Sequence, residues 1–270
     1  MPKRKLEDLN LMDDFLFNRV MSDPVYGEEF ARTLLEIIFH RKMGPLSVIP
    51  QKAEYGIDPR CHGIRLDVYI DERDAGIFDL EAEQGRNANS RDILPRRARF
   101  YHAKIDASAL ESGEEYKNLR NVCVIFITTY DPFDKGRMVY TIKNYCTEEP
   151  ELSYEDGART IFLYTKGTKG NPPADLAELL RYMEDTTEKN VCNEKIRKLH
   201  EMVQHTKQDV KMGVSYMKWY EIQSMCREEG REESAMRMIK AGELPLEKIA
   251  VYAGLTLERV GELEKELQMR

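Results

Sequence analysis

One stretch, GIRLDVYIDERDAGIFDLEAEQG at residues 63–85, restricts what the chain can fold into more than any other. Ile64, Leu66, Val68 and Ile70 share one parity, and Phe78, Leu80 and Ala82 continue it. Two alternating runs around Arg73-Asp74-Ala75-Gly76 predict a β-hairpin with one buried face. The opposite parity carries Asp67, Asp71, Asp79, Glu81 and Glu83, five carboxylates. Like charges facing each other across a strand pair destabilise it, and a merely solvated face would mix Lys, Thr and Arg among the acids. With Arg73–Ala75 as the loop, Asp67 faces Glu81. With Asp74–Gly76, it faces Glu83 and has Glu81 diagonal. Either register gathers the three acids within about 5–8 Å. A two-residue loop would break the parity and bury them.

The remaining sequence limits the partners and the compartment. Of 270 residues, 41% are hydrophobic and 33% charged, as in an ordinary globular protein. No run of about 18 apolar residues occurs, so no membrane span is expected. The start, MPKRKLEDLN, has no apolar segment of the secretory kind. Five scattered cysteines form no C-x-x-C pair, and the five histidines no metal-ligand cluster. Reduced thiols and a cytoplasmic location are expected. Residues 186–270 hold 15 basic and 15 acidic residues, so the whole net charge of −7 falls on residues 1–185. Such a field does not attract nucleic acid; any binding must use a local basic surface.

A surface of that kind follows the hairpin. Arg86, Arg91, Arg96, Arg97, Arg99 and Lys104 stand against Asp92, a charge of +5 over residues 86–104. Pro95 suits the first turn of a helix, from which Ala98, Tyr101, Ile105 and Ala109 form a buried stripe. The helix either touches phosphate or neutralises the acidic hairpin. Upstream, LMDDFLFNRVM and PVYGEEFARTLLEIIFHRK are amphipathic helices, the second opened by Asp23-Pro24. Downstream, NVCVIFITTY is a strand buried on both faces. RMVYTIKNY and ARTIFLYTK are two further strands, and ADLAELLRYMED a helix. The order helix, helix, hairpin, helix, three strands, helix gives an α/β fold, a mixed sheet flanked by helices.

The run GIRLDVYIDE, GIFDLEAEQ, LPRRARFYHAKID, YKNLRNVCVIFITTYDPFDKGRMVYTI and DGARTIFLYTKG resembles the recombination-promoting nuclease and transposase family of the PD-(D/E)XK nuclease superfamily, over roughly residues 8–185. The resemblance implies a restriction-endonuclease-like core with a metal site on the hairpin, and Mg²⁺-dependent cleavage of DNA. It places the first metal-binding aspartate at Asp67 and the second carboxylate at Glu81. The superfamily lysine has no counterpart; Glu83, or Gln84 after a local shift, stands in its place, and the proline before the aspartate is missing. A divalent cation, Mg²⁺ or Mn²⁺, would turn the repulsion on the acidic face into coordination. Asp67 and Glu81 are then ligands, and Glu83 a ligand or a base that positions water. Arg97 and Lys104, with Arg96 and Arg99, would hold phosphate. Glu36, which interrupts TLLEIIF, is either a water-mediated ligand or a partly exposed helix residue. Asp71 and Asp79, near the turn, are expected in solvent.

Residues 1–185 are thus read as the nuclease-like domain and 186–270 as a helical extension. Ile196, Leu199 and Val203, then Val210, Val214 and Met217, lie on helical stripes that need a partner surface, and a homo-oligomer is expected. In LPLEKIAVYAGLTLERVGELEKEL, the spacing of Ala250, Gly254 and Val260 with Thr256 as N-cap suits a helix-turn-helix. Its second helix carries Glu258, Glu262, Glu264 and Glu266, which oppose phosphate, so a packing or protein-contact unit is preferred to a DNA reader. Two functions follow: a metal-dependent DNA endonuclease serving recombination or transposition, or a weak or inactive nuclease fold that binds DNA or protein.

Overall fold

A computed structural model describes residues 4–54, 63–85 and 90–268. The chain forms two compact units, Met1–Asp209 and Val210–Arg270. The first is built on a six-stranded sheet: β1 (Leu46–Glu54), β2 (Ile64–Glu72), β3 (Gly76–Glu83), β4 (Val122–Thr128), β5 (Val139–Ile142) and β6 (Ala158–Tyr164), in the spatial order β1-β2-β3-β4-β6-β5. β1, β2 and β3 run antiparallel, β3, β4 and β6 are mutually parallel, and β5 returns antiparallel on β6. All seven residues of β4 are buried, as its unbroken apolar sequence requires of a strand covered on both sides.

β1 is absent from the elements expected from sequence. Pro50 and a left-handed Gln51 (φ 53) interrupt its alternation, and a proline inside a run argues against a strand. It is tolerated because β1 is an edge strand. At the hairpin turn Gly76 adopts φ 129, and a Cβ there would meet the Asn121 carbonyl oxygen at 2.4 Å. Only glycine lets β3 begin so close to β4.

Helices cover both faces. α1 (Asp14–Met21), α2 (Gly27–Phe39), α4 (Ala174–Glu184) and α5 (Glu194–Gln208) pack on one another. Phe39 of α2 meets Phe78 of β3 at 5.1 Å. The change of composition near residue 185 falls one helix before the boundary at Asp209, because α5 packs on α1, α2 and α4. α3 (Ser90–Ala109) covers the other face, with Leu94, Ala98, Tyr101 and Ile105 against Tyr69, Ile77, Val124, Phe126 and Phe162. Pro95 lies inside α3 and not at its start; the helix is already formed at Ser90, so the proline removes one helical hydrogen bond. The acidic parity therefore faces a helix, and the hairpin has two buried faces where one was expected. Alternation also breaks within β2, since Leu66 and Tyr69 pack in the same cluster under α3.

The second unit holds α6 (Val210–Ala241), α7 (Leu246–Ala253) and α8 (Leu257–Gln268). Ala235, Ile249, Ala250, Ala253, Val260 and Leu263 form its core. Gly254 closes α7 in the left-handed region (φ 66), and the Thr256 hydroxyl accepts the Arg259 N–H at 3.2 Å. Arg259 of α8 is held by Glu232 of α6 (2.7 and 3.1 Å) and by Glu262 (2.8 Å). Among the described residues, no helix is long and apolar enough to cross a membrane.

Candidate active site at a fork in the sheet

The β2–β3 ladder runs from Glu72–Gly76 to Val68–Leu80 and then stops. This is the register in which Asp67 and Glu81 are opposed. Beyond it β2 continues on β1, while β3 continues on β4 as far as Glu83–Thr128. The two strands part where the two acids stand. Freed from the ladder, the Asp67 N–H donates to Glu81 Oε1 at 2.8 Å, and the Ala82 N–H donates to the Asp67 carboxylate. Opposite Asp67, Gln51 is held at positive φ, a strained state for a non-glycine residue. Its Nε2 bonds Asn18 Oδ1 at 2.8 Å and Asp67 Oδ1 at 3.3 Å. The kink in β1 thus aims an amide from the edge strand at the acid and at α1.

Charge at the fork is poorly compensated. Burial, then the nearby charge of Asp14, raises the Asp67 carboxyl from 3.8 to about 6, against the hydrogen bond from Ala82 and the charge of Arg97. Burial, then Asp67, raises Glu81 from 4.5 to about 8. Asp79 is fully buried, and burial, then Glu81 and Asp67, pushes its carboxyl well above the usual range. Neither of its oxygens has a hydrogen-bond donor to offset the cost of a charge, and Glu81 is its neighbour. Asp79 was expected in solvent; α3 covers that part of the face. Asp71 is not left to solvent either, since Arg120 clasps both its oxygens at 2.7 Å.

Arg97 is the cation of the site. Its Nη1 reaches Glu83 Oε2 at 2.7 Å and its Nη2 reaches Glu81 Oε2 at 3.0 Å. The guanidinium lies 5.0 Å from the Phe126 ring centre and 5.5 Å from that of Tyr101. Burial opposes its charge, but Tyr101, Glu83 and Glu81 outweigh it and strengthen the guanidinium's hold on its proton. Gln84 donates to the Met12 carbonyl and so fixes the chain just before Asp14. Glu36 accepts the Met43 N–H at 3.1 Å and pairs with Lys42 at 3.6 Å; it closes the loop after α2 and does not touch the fork. Arg96 and Arg99 are exposed on α3, and Lys104 is half-buried. Arg86 lies outside the described residues, as does Cys61; the other four cysteines are free thiols.

Sequence reasoning missed Asp14 and Gln51. Nothing near either residue announces the fork, because α1 and β1 bring them there through tertiary packing. The helix carboxylate beside the pair is Asp14, on α1, where Glu36 had been considered.

The donor chemistry fits a hard divalent cation. Asp67 and Glu81 offer oxygen ligands, stand together under mutual repulsion, and lack enough positive charge. Among the described residues no three His, Cys, Asp or Glu side chains close on one point. Mg²⁺ needs no such cage, being normally held by one or two carboxylates and several waters.

A family model described as PD-(D/E)XK nuclease family transposase matches residues 11–220. The chain belongs to this family. A search of curated proteins and one of solved structures return no match. Membership accords with the restriction-endonuclease-like fold, a mixed sheet carrying the acidic hairpin and covered by helices. It makes the chain nuclease- or transposase-related. Within this PD-(D/E)XK nuclease family transposase, Arg97 brings a cation from α3 to Glu83, next along β3 from the fork.

Proposed function

We propose that the fork between Asp67 and Glu81 is the site of a metal-dependent DNA endonuclease, hydrolysing phosphodiester bonds in recombination or transposition. The observation that carries this reading is the parting of β2 and β3 beside the half-buried Asp67 and the buried Glu81, two mutually repelling carboxylates, in a chain of nuclease family membership. Asp67 and Glu81 would hold Mg²⁺ or Mn²⁺, which when bound lowers the pKa of a water and offsets charge on phosphate. The chain's own groups prepare the site. Gln51 and the Ala82 N–H orient Asp67, the Asp67 N–H orients Glu81, and Asp14 adds negative charge beside the pair. Glu83, a candidate ligand or base, is held by Arg97.

DNA would lie along the outer flank of α3, where Arg96, Arg99 and Lys104 offer cations to phosphate. Replacing Arg99 and Lys104 with Ala should weaken binding of a duplex. It should also reduce the slope of log K against log salt by roughly one for each phosphate that is no longer neutralised. Anisotropy across a salt series measures both; an unchanged slope would mean that these cations only neutralise the acidic domain.

A second reading, a weak or inactive nuclease fold that binds DNA or protein, draws on the ion pair that ties Glu83 to Arg97 where the superfamily has a lysine. We assign α6 to assembly, since Val210, Val214, Met217 and Met225 are more than half exposed on it. Removing residues 210–270 should give an oligomer of fewer subunits in light scattering, with residual cleavage still dependent on Asp67. An unchanged oligomer with weakened DNA affinity would make this unit the DNA reader.

A further inference from the structure

We infer that Arg97 is the built-in counter-cation of Glu81, and that it gives up this carboxylate when a divalent cation is held there. The inference rests on the metal-binding reading of the fork and adds a competitor to it. Glu81 Oε1 already accepts the Asp67 N–H, and Arg97 Nη2 sits on Oε2 at 3.0 Å, so a cation that takes the Glu81 carboxylate through Oε2 meets the guanidinium there. A guanidinium is charged at every accessible pH. It cannot stay against a divalent ion on one buried carboxylate without strong repulsion, since water screens little there.

The same geometry provides a place of retreat. Nη1 is anchored at 2.7 Å by Glu83, which is more exposed than Glu81 (19% against 3%). The planar group lies near the rings of Phe126 and Tyr101, so it can shift toward Glu83 and stay over an aromatic surface. Arg97 Nε is buried without an acceptor, so the resting position leaves one donor unsatisfied. That is a cost the Glu81 interaction must offset. The carboxylate at the lysine position thereby acquires a role: Glu83 holds the arginine once Glu81 is taken. In this arrangement Arg97 is a positioning residue that sets the affinity of the fork for its cation.

Calorimetry of Mg²⁺ binding in alkaline buffer, where protons compete least, tests this without reference to cleavage. Arg97→Gln should bind Mg²⁺ about tenfold more tightly than wild type, the order expected when a close charge-assisted competitor is removed. In isotope-labelled wild type, the buried arginine side-chain signal should move on adding Mg²⁺, and stay still in Asp67→Ala. This second measurement holds even if Arg97→Gln does not fold. Equal or weaker binding by Arg97→Gln, or a wild-type signal that ignores bound Mg²⁺, would overturn the displacement while leaving the metal site intact. If neither wild type nor variant binds Mg²⁺, the metal reading of the fork fails with it.

Discussion

Asp67→Ala should reduce cleavage of DNA by about three orders of magnitude, the scale expected when a principal electrostatic group leaves an active site. Asp67 supplies more than a charge. Its N–H fixes Glu81 at 2.8 Å, and its carboxylate is itself oriented by Gln51 and by the Ala82 N–H. The backbone bond survives the substitution, so Glu81 should keep its place and the fold should persist. Removing one of two repelling acids should even raise the melting temperature of the metal-free protein slightly. Loss of cleavage together with unchanged or improved stability identifies a site residue; loss of both would point to a framework role. Mg²⁺ binding followed by calorimetry should vanish in the same variant.

A second large effect concerns pH. The carboxyls of Asp67 and Glu81 are raised, mainly by burial, from 3.8 to about 6 and from 4.5 to about 8. In the window between about pH 4 and pH 8 the native chain therefore binds more protons than the unfolded chain, and stability falls as pH rises. The contribution is fully present below the unfolded values and is lost through the folded ones. Wild type should fall behind Glu81→Gln by roughly 5 °C in Tm across this window, as Gln cannot ionise. Saturating Mg²⁺ should close the gap by raising wild type, because a ligand bound only by the native state stabilises it. Thermal melts of both proteins at several pH values check this; parallel curves would mean that the acids are well compensated.

Local patterning made much of the scaffold legible. The apolar run of β4, the hairpin with its turn, and the helical stripe of α3 each follow from a period written in consecutive residues. The stripe does not say what it covers. Ala98, Tyr101 and Ile105 close over the acidic parity, and for that reason Asp79 is buried, its carboxyl pushed well above the usual range, where solvent was expected. Parity also failed at Asp67, where the ladder stops and Leu66 turns to the α3 side. Pro50 concealed β1, and with it the kinked Gln51 that reaches Asp67. Asp14 and Arg97 reach the fork from separate helices, so no spacing in the chain foretells their distances. Asp67 and Glu81 were legible because they share one hairpin, and the motif resemblance fixed on the same pair. The environment that raises their proton affinity belongs to the tertiary fold.

Supercoiled plasmid incubated with the full-length protein tests most directly whether this fork cleaves DNA with the help of a divalent cation. Nicked and then linear product is expected with Mg²⁺ or Mn²⁺, none with EDTA, and none from Glu81→Gln under any condition. Cleavage that persists in EDTA or in Glu81→Gln would contradict a metal-dependent site at the fork, as would intact plasmid from a wild-type protein shown to bind Mg²⁺.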